Sequence, residues 1–286
     1  LSPHPAEAHC IFNAGLLPPW LHEADSEVEA SEMSETSKKR KRHEGIEEDA
    51  ASVPGEVSEE DDGEYQPVLV DEVLHEEHTD FQHVLVFRSH QYGVCLSLDG
   101  VLQSTEKDES IYHERLCHIP LLLCAEPKRV AICGGGNGGA AREVLKHGVC
   151  EIYVIDVDPA VRRTAKRFMP IQAAAWMDSR VQEITADAAD FDHWPQGSFD
   201  AIIVDGTDMG ATGGRSDHLW SQRFYVGCLR RLQPNGLLST QLGACLPQSG
   251  MGFAVSEAAA DGLRGLREAG FHTVRPYVAE IPSYGG

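Results

Sequence analysis

The sequence predicts an α/β protein in which a small antiparallel β domain precedes a Rossmann-like, doubly wound parallel sheet. Three observations support this fold class. Short runs of alternating apolar residues, separated by polar turns, lie between residues 81 and 102. From residue 128 onward, apolar strands alternate with helical segments, which is typical of parallel sheets. A glycine-rich turn at residues 134–139 joins the first of those strands to a helix.

The N-terminal part of the chain divides by composition. We treat residues 1–24 as an N-terminal segment and residues 25–64 as a disordered insertion. The insertion holds fifteen acidic and five basic side chains and almost no large apolar ones, so burial could not offset its ordering entropy. Its basic cluster, Lys38–Arg42, is similar to a nuclear import signal.

Residues 65–118 form the predicted small β domain. Phe81–Arg88 and Tyr92–Leu98 alternate apolar and polar residues and are predicted strands, and Asp99–Gly100 is a turn signal. Ile111–Leu123 is apolar along one face, which predicts a helix that leads into the next domain.

Residues 119–286 form the predicted Rossmann-like domain. Its strands are predicted at residues 130–133, 151–155, 181–185, 201–204 and 237–242. Its helices are predicted at residues 140–147, 161–168, 222–232 and 256–269. Because strands and helices alternate, we expect the strands to be parallel and the helices to cover both faces.

Charge and composition exclude several classes of function. The 286 residues include 24 basic and 45 acidic side chains, for a net charge of −21, which opposes nonspecific nucleic-acid binding and attracts small cations. No apolar run approaches the roughly 20 residues of a membrane span, and the start is not typical of a signal peptide. The eight cysteines contain no C-x-x-C pair. We therefore expect a cytoplasmic protein with reduced thiols, no membrane contact and no metal site.

Acidic residues follow three successive strands behind the glycine turn: Asp156, Asp187 and Asp205. Carboxyl ends of parallel strands meet at one edge, where open α/β sheets bind ligands. Asp156 lies 20 residues after Gly136, the spacing at which an acid accepts hydrogen bonds from a ribose diol. The turn contains no Lys or Arg to hold a pyrophosphate. An adenosyl thioether or sulfonium therefore fits this site better than a nucleoside triphosphate or NAD.

Several sequence blocks, all in one order, resemble the spermidine synthase family, which has a class I methyltransferase-type fold. The blocks are Val84–Phe87, Leu98–Glu109, Tyr112–Glu114, Gly134–Gly139, Arg142–Val144, Phe199–Asp205 and Ile281–Tyr284. The resemblance is dense from Tyr65 to the end and weak over Leu16–Ala24. Family members continue beyond the equivalent of Gly286, so we expect C-terminal strands to be missing here.

The resemblance implies a polyamine aminopropyltransferase. Such an enzyme transfers the aminopropyl group of decarboxylated S-adenosylmethionine to putrescine, and it releases spermidine and methylthioadenosine. The nucleoside is a co-substrate, so no permanently bound cofactor is expected. A small polyamine is the expected partner, together with a second copy of the chain in a homodimer. Whether the acceptor is putrescine or spermidine stays open.

The resemblance also implies three groups of site residues. The catalytic group is Asp205, Asp208 and Tyr112. The cofactor-binding group is Gln82, His113, Gly134, Gly136, Asn137, Gly138, Asp156 and Asp187, with Asp156 on the ribose and Asp187 on the adenine. The amine-binding group is Glu109, Gln241 and Tyr284.

Some positions depart from the family pattern. Asn137 replaces an Asp of the glycine turn, His113 replaces a Gln, and Gly243 replaces an acid. The glycine-rich loop Met209–Arg215 is predicted to be a mobile gate. Asn137 removes a charge that would hold the aminopropyl ammonium, so a diamine N-methyltransferase is an alternative. A weakly active regulatory paralogue is the other.

Overall fold

The computed structural model describes residues 6–14, 68–207, 216–248 and 252–284. Within these ranges no helix is long and apolar enough to cross a membrane. Several predictions fall outside the described residues: the weak match at Leu16–Ala24, the insertion at 25–64, the basic cluster Lys38–Arg42, the carboxylate of Asp208 and the loop Met209–Arg215.

The small sheet has four antiparallel strands in chain order: β2 (Glu72–His78), β3 (His83–Ser89), β4 (Gly93–Leu98) and β5 (Val101–Thr105). The predicted antiparallel sheet is confirmed, although β2 was not predicted. Side chains along β3 point alternately to the two faces of the sheet. Val84 and Val86 share one face and pack against the helix that contains Val161. One face of the small sheet therefore rests on the larger domain.

The large sheet is parallel and confirms the predicted doubly wound architecture. Its strands are β1 (Glu7–Ala14), β6 (Arg129–Gly134), β7 (Glu151–Asp156), β8 (Val181–Thr185), β9 (Phe199–Asp205), β10 (Leu232–Gln248) and β12 (Thr273–Ala279). Their order across the sheet is β12-β1-β10-β9-β6-β7-β8, and β11 (Gly252–Val255) pairs antiparallel with β10. The glycine turn follows β6, at the middle of the sheet.

The helices cover both faces of the large sheet. They are α1 (Glu109–Leu123), α2 (Gly139–Leu145), α3 (Pro159–Phe168), α4 (Pro170–Ala173), α5 (Gln222–Arg231) and α6 (Glu257–Ala269). In β6, Ala131 faces the core formed by α5 and α6, whereas Ile132 faces the core formed by α1 and α2. Helix α1 therefore belongs to the core of the large sheet, which differs from our boundary at residue 118.

Strand β1 is the main feature that the sequence analysis did not include, since residues 1–24 were treated as a separate segment. It lies between β10 and β12 and is parallel to both, with Glu7 opposite Leu237 on one side and Thr273 on the other. Among the described strands, β12 pairs with β1 alone. The N-terminal strand thus connects β12 to the rest of the sheet.

Candidate active site

A cavity of about 390 Å³ lies between the small sheet and the carboxyl edge of the large sheet. This volume is within the range of small-molecule sites. Most of the predicted site residues line it: Gln82, Tyr112, Gly134, Gly136, Asn137, Asp156, Asp187, Asp205, Gln241 and Tyr284. The strand ends therefore bring together residues that are far apart in the sequence, as expected for an open α/β sheet.

The glycine turn touches the end of β9. Gly134 has a φ of +78°, and a Cβ at this position would lie 2.2 Å from the backbone oxygen of Asp205. The next amide, that of Gly135, donates a hydrogen bond of 2.9 Å to the same oxygen. A side chain at position 134 would separate the turn from β9, so glycine is required for the close approach.

Asp156 is partly buried at one end of the cavity. It accepts hydrogen bonds of 2.9 Å from the backbone amides of Gly136 and Asp158. Burial raises the pKa of this carboxyl to about 6, although those amides act in the opposite direction. A carboxylate has about four acceptor sites, so Asp156 can accept further hydrogen bonds from the hydroxyl groups of a ligand.

Asp158 binds the turn between β2 and β3, beside the cavity. One carboxylate oxygen accepts hydrogen bonds from the side chains of Gln82 (2.9 Å) and Thr79 (2.8 Å). Gln82, predicted to contact the adenosyl group, therefore lies next to the loop that contains Asp156. The small sheet thus contributes one wall of the cavity near Asp156.

Asp187 lies beyond β8 and is about half exposed. One carboxylate oxygen accepts the amide hydrogen of Ala189 (2.8 Å) and is 2.9 Å from Nε2 of His218. The sequence analysis missed His218, which also lines the cavity. A single histidine after a glycine-rich loop has no spacing pattern that could reveal it.

Asp205 ends β9 at the opposite end of the cavity, and its side chain is 7 % exposed. The Tyr112 hydroxyl donates a hydrogen bond of 2.8 Å to Oδ1. Burial raises the pKa of Asp205, an effect that the nearby His113 and the Tyr112 hydroxyl oppose. Asp205 therefore places a buried carboxyl group in the lining of this end of the cavity.

Of the predicted site residues that the structure describes, three do not line the cavity: Glu109, His113 and Gly138. Glu109 accepts two hydrogen bonds from the Arg142 guanidinium, at 2.7 and 3.0 Å, and one of 2.6 Å from His113. Burial alone would raise its pKa, but these partners lower it to about 2. The charge of Glu109 is therefore compensated inside the protein by His113 and Arg142.

Gln241 has both ends of its amide engaged by the backbone. Its Nε2 donates to the oxygen of Gly206 (3.1 Å), and its Oε1 accepts from the amide of Gly243 (2.8 Å). Gly243 has a φ of +82°, a conformation that favours glycine. The backbone geometry thus accounts for glycine at this departure from the family pattern, and Gln241 acts as a brace for the loop after β9.

A backbone amide of the glycine turn sets the orientation of the Asn137 side chain. Its Oδ1 accepts a 2.8 Å hydrogen bond from the amide of Gly139. That bond identifies the oxygen and leaves the amide NH₂ as the group that Asn137 offers to a ligand. An NH₂ group donates hydrogen bonds, so it does not suit an ammonium.

Polar cavity residues that the sequence analysis did not single out lie on the small sheet and after β9: Gln103, Thr207 and Ser216. The Tyr284 hydroxyl donates to the backbone oxygen of Gln103 at 2.5 Å, and the Thr207 hydroxyl is 3.2 Å from its Oε1. Gln103 lies within a block that resembles the family, which was the available signal.

The fold also creates two groups with metal-ligand spacing that the sequence pattern did not indicate. They are Glu76, His78 and His83 on the β2–β3 hairpin, and Glu114, His118 and Glu143 between α1 and α2. Glu143 is already paired with Arg142 and Lys146. Neither group lines the cavity between the two sheets.

Comparison with known proteins accounts for this arrangement. A family model described as the spermine/spermidine synthase domain matches residues 109–286. The chain belongs to the spermidine synthase family. A second model of that family, the spermidine synthase tetramerisation domain, matches residues 56–106, which include the small sheet. Both parts of the cavity wall thus fall within spermidine synthase family domains.

Individual relatives agree with this assignment. The chain is 38% identical over 223 residues to a polyamine aminopropyltransferase of Shigella flexneri serotype 5b, covering 77% of this chain and 74% of the relative. A spermidine synthase crystallised with the transition-state analogue AdoDATO is 31% identical, with a TM-score of 0.64 over 71% of this chain and 67% of the other. The Thermotoga maritima spermidine synthase has a TM-score of 0.62, also at 31% identity, over 71% of this chain and 66% of the other.

Replacing Asp156 with Asn is expected to weaken methylthioadenosine binding by about ten- to a hundredfold, because hydrogen bonds to a charged group contribute about 1.5–3 kcal/mol. Isothermal titration calorimetry measures the change in Kd. Asp261→Asn, on the exposed surface of α6, is the matched control. An unchanged Kd for Asp156→Asn would show that this carboxylate does not bind the ribose.

Proposed function

We propose that this chain transfers the aminopropyl group of decarboxylated S-adenosylmethionine to putrescine, giving spermidine and methylthioadenosine. The observation that carries the proposal is the position of Asp205, buried at one end of the cavity and hydrogen-bonded to Tyr112. Asp156 lies at the other end, behind the glycine turn. The chain's membership of the spermidine synthase family supports the same reaction.

The nucleoside co-substrate would lie along the glycine turn. Asp156 would accept hydrogen bonds from the ribose hydroxyls, and Asp187 would accept one from the adenine amino group. Gln82 closes this end of the cavity through its bond to Asp158. Because the nucleoside is consumed in each turnover, it is a substrate and not a resident cofactor.

The reaction needs an uncharged amine directed at the aminopropyl carbon next to sulfur. Asp205 would accept one proton from the putrescine ammonium and orient the resulting amine. The nitrogen lone pair then forms the new C–N bond while the C–S bond breaks. Sulfur takes that electron pair and becomes a neutral thioether, and the nitrogen, now bonded to the aminopropyl carbon, becomes a secondary ammonium.

The aromatic rings of Tyr112 and Tyr284 would hold the cationic amine. Their centroids are 6.5 Å apart with an edge-to-face angle of 74°, and both residues line the cavity. Tyrosine faces attract ammonium groups. We propose that Asp208, which lies outside the described residues, adds negative charge for the far end of the amine, since Glu109 is already paired.

A diamine N-methyltransferase is the second candidate function, and Asn137 favours it. The Asn137 amide NH₂ would donate to an acceptor, such as the carboxylate of ordinary S-adenosylmethionine, which the decarboxylated form lacks. The same sulfonium then donates its methyl group to the amine. The two functions differ in which carbon the nitrogen attacks.

The test is to incubate the protein with putrescine and either decarboxylated or ordinary S-adenosylmethionine, and to identify the products by mass spectrometry. Spermidine and methylthioadenosine from the decarboxylated form are the expected products. N-methylputrescine from the ordinary form would move the assignment to methyl transfer. If folded protein yields no product from either form with putrescine or spermidine, a regulatory paralogue is the better assignment.

We propose a homodimeric, cytoplasmic enzyme. The match to a tetramerisation domain supports self-association, and light scattering coupled to size-exclusion chromatography distinguishes two copies from four. The free cysteines in the described part of the chain, for example the buried Cys117 and Cys133, suit a reducing compartment.

A further inference from the structure

His113 occupies a closed position directly behind Asp205. Its side chain is 1 % exposed and does not line the cavity. Helix geometry places His113 one turn after Glu109, on the same face of α1. The ring also requires glycine at the start of α2, because a Cβ on Gly139 would lie 2.3 Å from the ring atom Cε1. The fold therefore provides a fitted space for this imidazole.

The two ring nitrogens have different surroundings. Nδ1 lies 2.6 Å from Oε2 of Glu109 and 2.9 Å from its backbone oxygen. Nε2 lies 3.8 Å from Oδ2 of Asp205, within ion-pair range. Nε2 of His113 and Oδ2 of Asp205 are both buried, and neither atom has a hydrogen-bond partner among the described residues. A hydrogen bond to another described residue therefore does not compete with the approach of these two atoms.

The charged and titratable groups around His113 alternate in sign. Arg142 on α2 binds Glu109, Glu109 binds His113, and His113 faces Asp205, whose other oxygen accepts the Tyr112 hydroxyl. An imidazolium between two carboxylates balances this row, whereas with a neutral ring Asp205 would be a buried anion whose carboxylate is hydrogen-bonded, among the described residues, to the Tyr112 hydroxyl alone. Burying an unpaired charge is costly.

We propose that His113 is a positioning residue that acts through Asp205: as an imidazolium held by Glu109, it keeps the Asp205 carboxylate ionised and able to accept the amine proton. This inference rests on the proposed aminopropyl transfer. It assigns to His113 a different role from the cofactor contact that the family resemblance implied.

The direction of the titrations supports this role. Burial favours the neutral ring, but the hydrogen bond to Glu109 and the charge of Asp205 raise the pKa of His113 above its usual value. Burial raises the pKa of Asp205, and the charge of His113 opposes that increase. Each group thus promotes the charged form of the other.

The activity test is the pH profile of kcat/KM in His113→Gln. Because an opposite charge within about 4–6 Å lowers a carboxyl pKa by about 1–3 units, losing the imidazolium should move the acid limb to higher pH by about one unit or more. His118→Gln, on the same helix but outside the cavity, should keep the wild-type profile. A purely structural role for His113 would instead lower kcat/KM equally at every pH.

A second measurement does not depend on turnover. NMR of histidine-labelled protein follows the titration of the His113 Cε1–H signal in wild type and in Asp205→Asn. The midpoint should fall in Asp205→Asn because the facing negative charge is gone. An unchanged midpoint would overturn the proposal. If no amine yields product, the proposed function fails, but this NMR comparison still decides whether the two groups are coupled, and it also serves if His113→Gln does not fold.

Discussion

Replacing Asp205 with Asn is expected to slow aminopropyl transfer by about 10²–10⁴-fold, the usual contribution of a positioned general base. Asn keeps the shape of the side chain and its hydrogen bond to Tyr112, but it cannot accept the ammonium proton. The affinity for methylthioadenosine should change little, because that ligand does not carry the proton. Steady-state rates at saturating substrate, together with calorimetric Kd values, separate the two effects.

The matched control for this change is Asp200→Asn. Asp200 lies on the same strand at the opposite edge of the sheet, where its carboxylate accepts hydrogen bonds of 2.8 Å from the amides of Lys128 and Arg129. It should lower stability slightly and leave kcat unchanged. A kcat for Asp205→Asn within a few-fold of wild type would exclude Asp205 as the base.

Replacing Asn137 with Asp should increase the preference for decarboxylated over ordinary S-adenosylmethionine by about tenfold or more. One Asp oxygen can keep the bond to Gly139 while the other accepts the aminopropyl ammonium, and a charge-assisted hydrogen bond is roughly twice as strong as a neutral one. The new carboxylate also repels the carboxylate of the ordinary substrate. The ratio of kcat/KM values for the two substrates measures the change.

Asn235→Asp is the control for adding a negative charge elsewhere. Asn235 has a φ of +67° at an irregular point in β10 and does not line the cavity, and Asp also tolerates this conformation. Its substrate ratio should equal that of wild type. If Asn137→Asp leaves the ratio unchanged, position 137 does not contact the tail that distinguishes the two substrates.

The sequence allowed most of the fold to be predicted, because apolar strands alternate with amphipathic helices from residue 128 onward. Strands that were missed or only partly predicted carry weak local signals. In β2 the run Glu72–His78 is mostly charged and imidazole side chains, and only pairing with β3 makes it a strand. In β10 only residues 237–242 were predicted as a strand, because the turn residues Pro234–Gly236 concealed its start at Leu232, before a register shift.

The site was predictable where one rule of topology applies and not where side-chain contacts decide. Asp156, Asp187 and Asp205 each follow a strand, so the shared edge brings them together. The interior position of His113 depends on the space beside Gly139, and the orientation of Asn137 depends on one backbone amide. Such contacts join separate elements and leave no periodic trace in the sequence.

Strand β1 also has consequences for the order in which the molecule assembles. During synthesis Glu7–Ala14 emerges long before its neighbours β10 and β12, which lie far later in the chain. Contacts between distant parts of a chain form slowly because loop closure precedes their gain. An apolar-rich segment, including Ile11 and Phe12, therefore lacks its partners while the strands and helices between β1 and β10 are made. Chaperone binding to a nascent chain would be strongest during this interval, and a ribosome stalled before residue 273 would present β1 with one of its two edges unpaired.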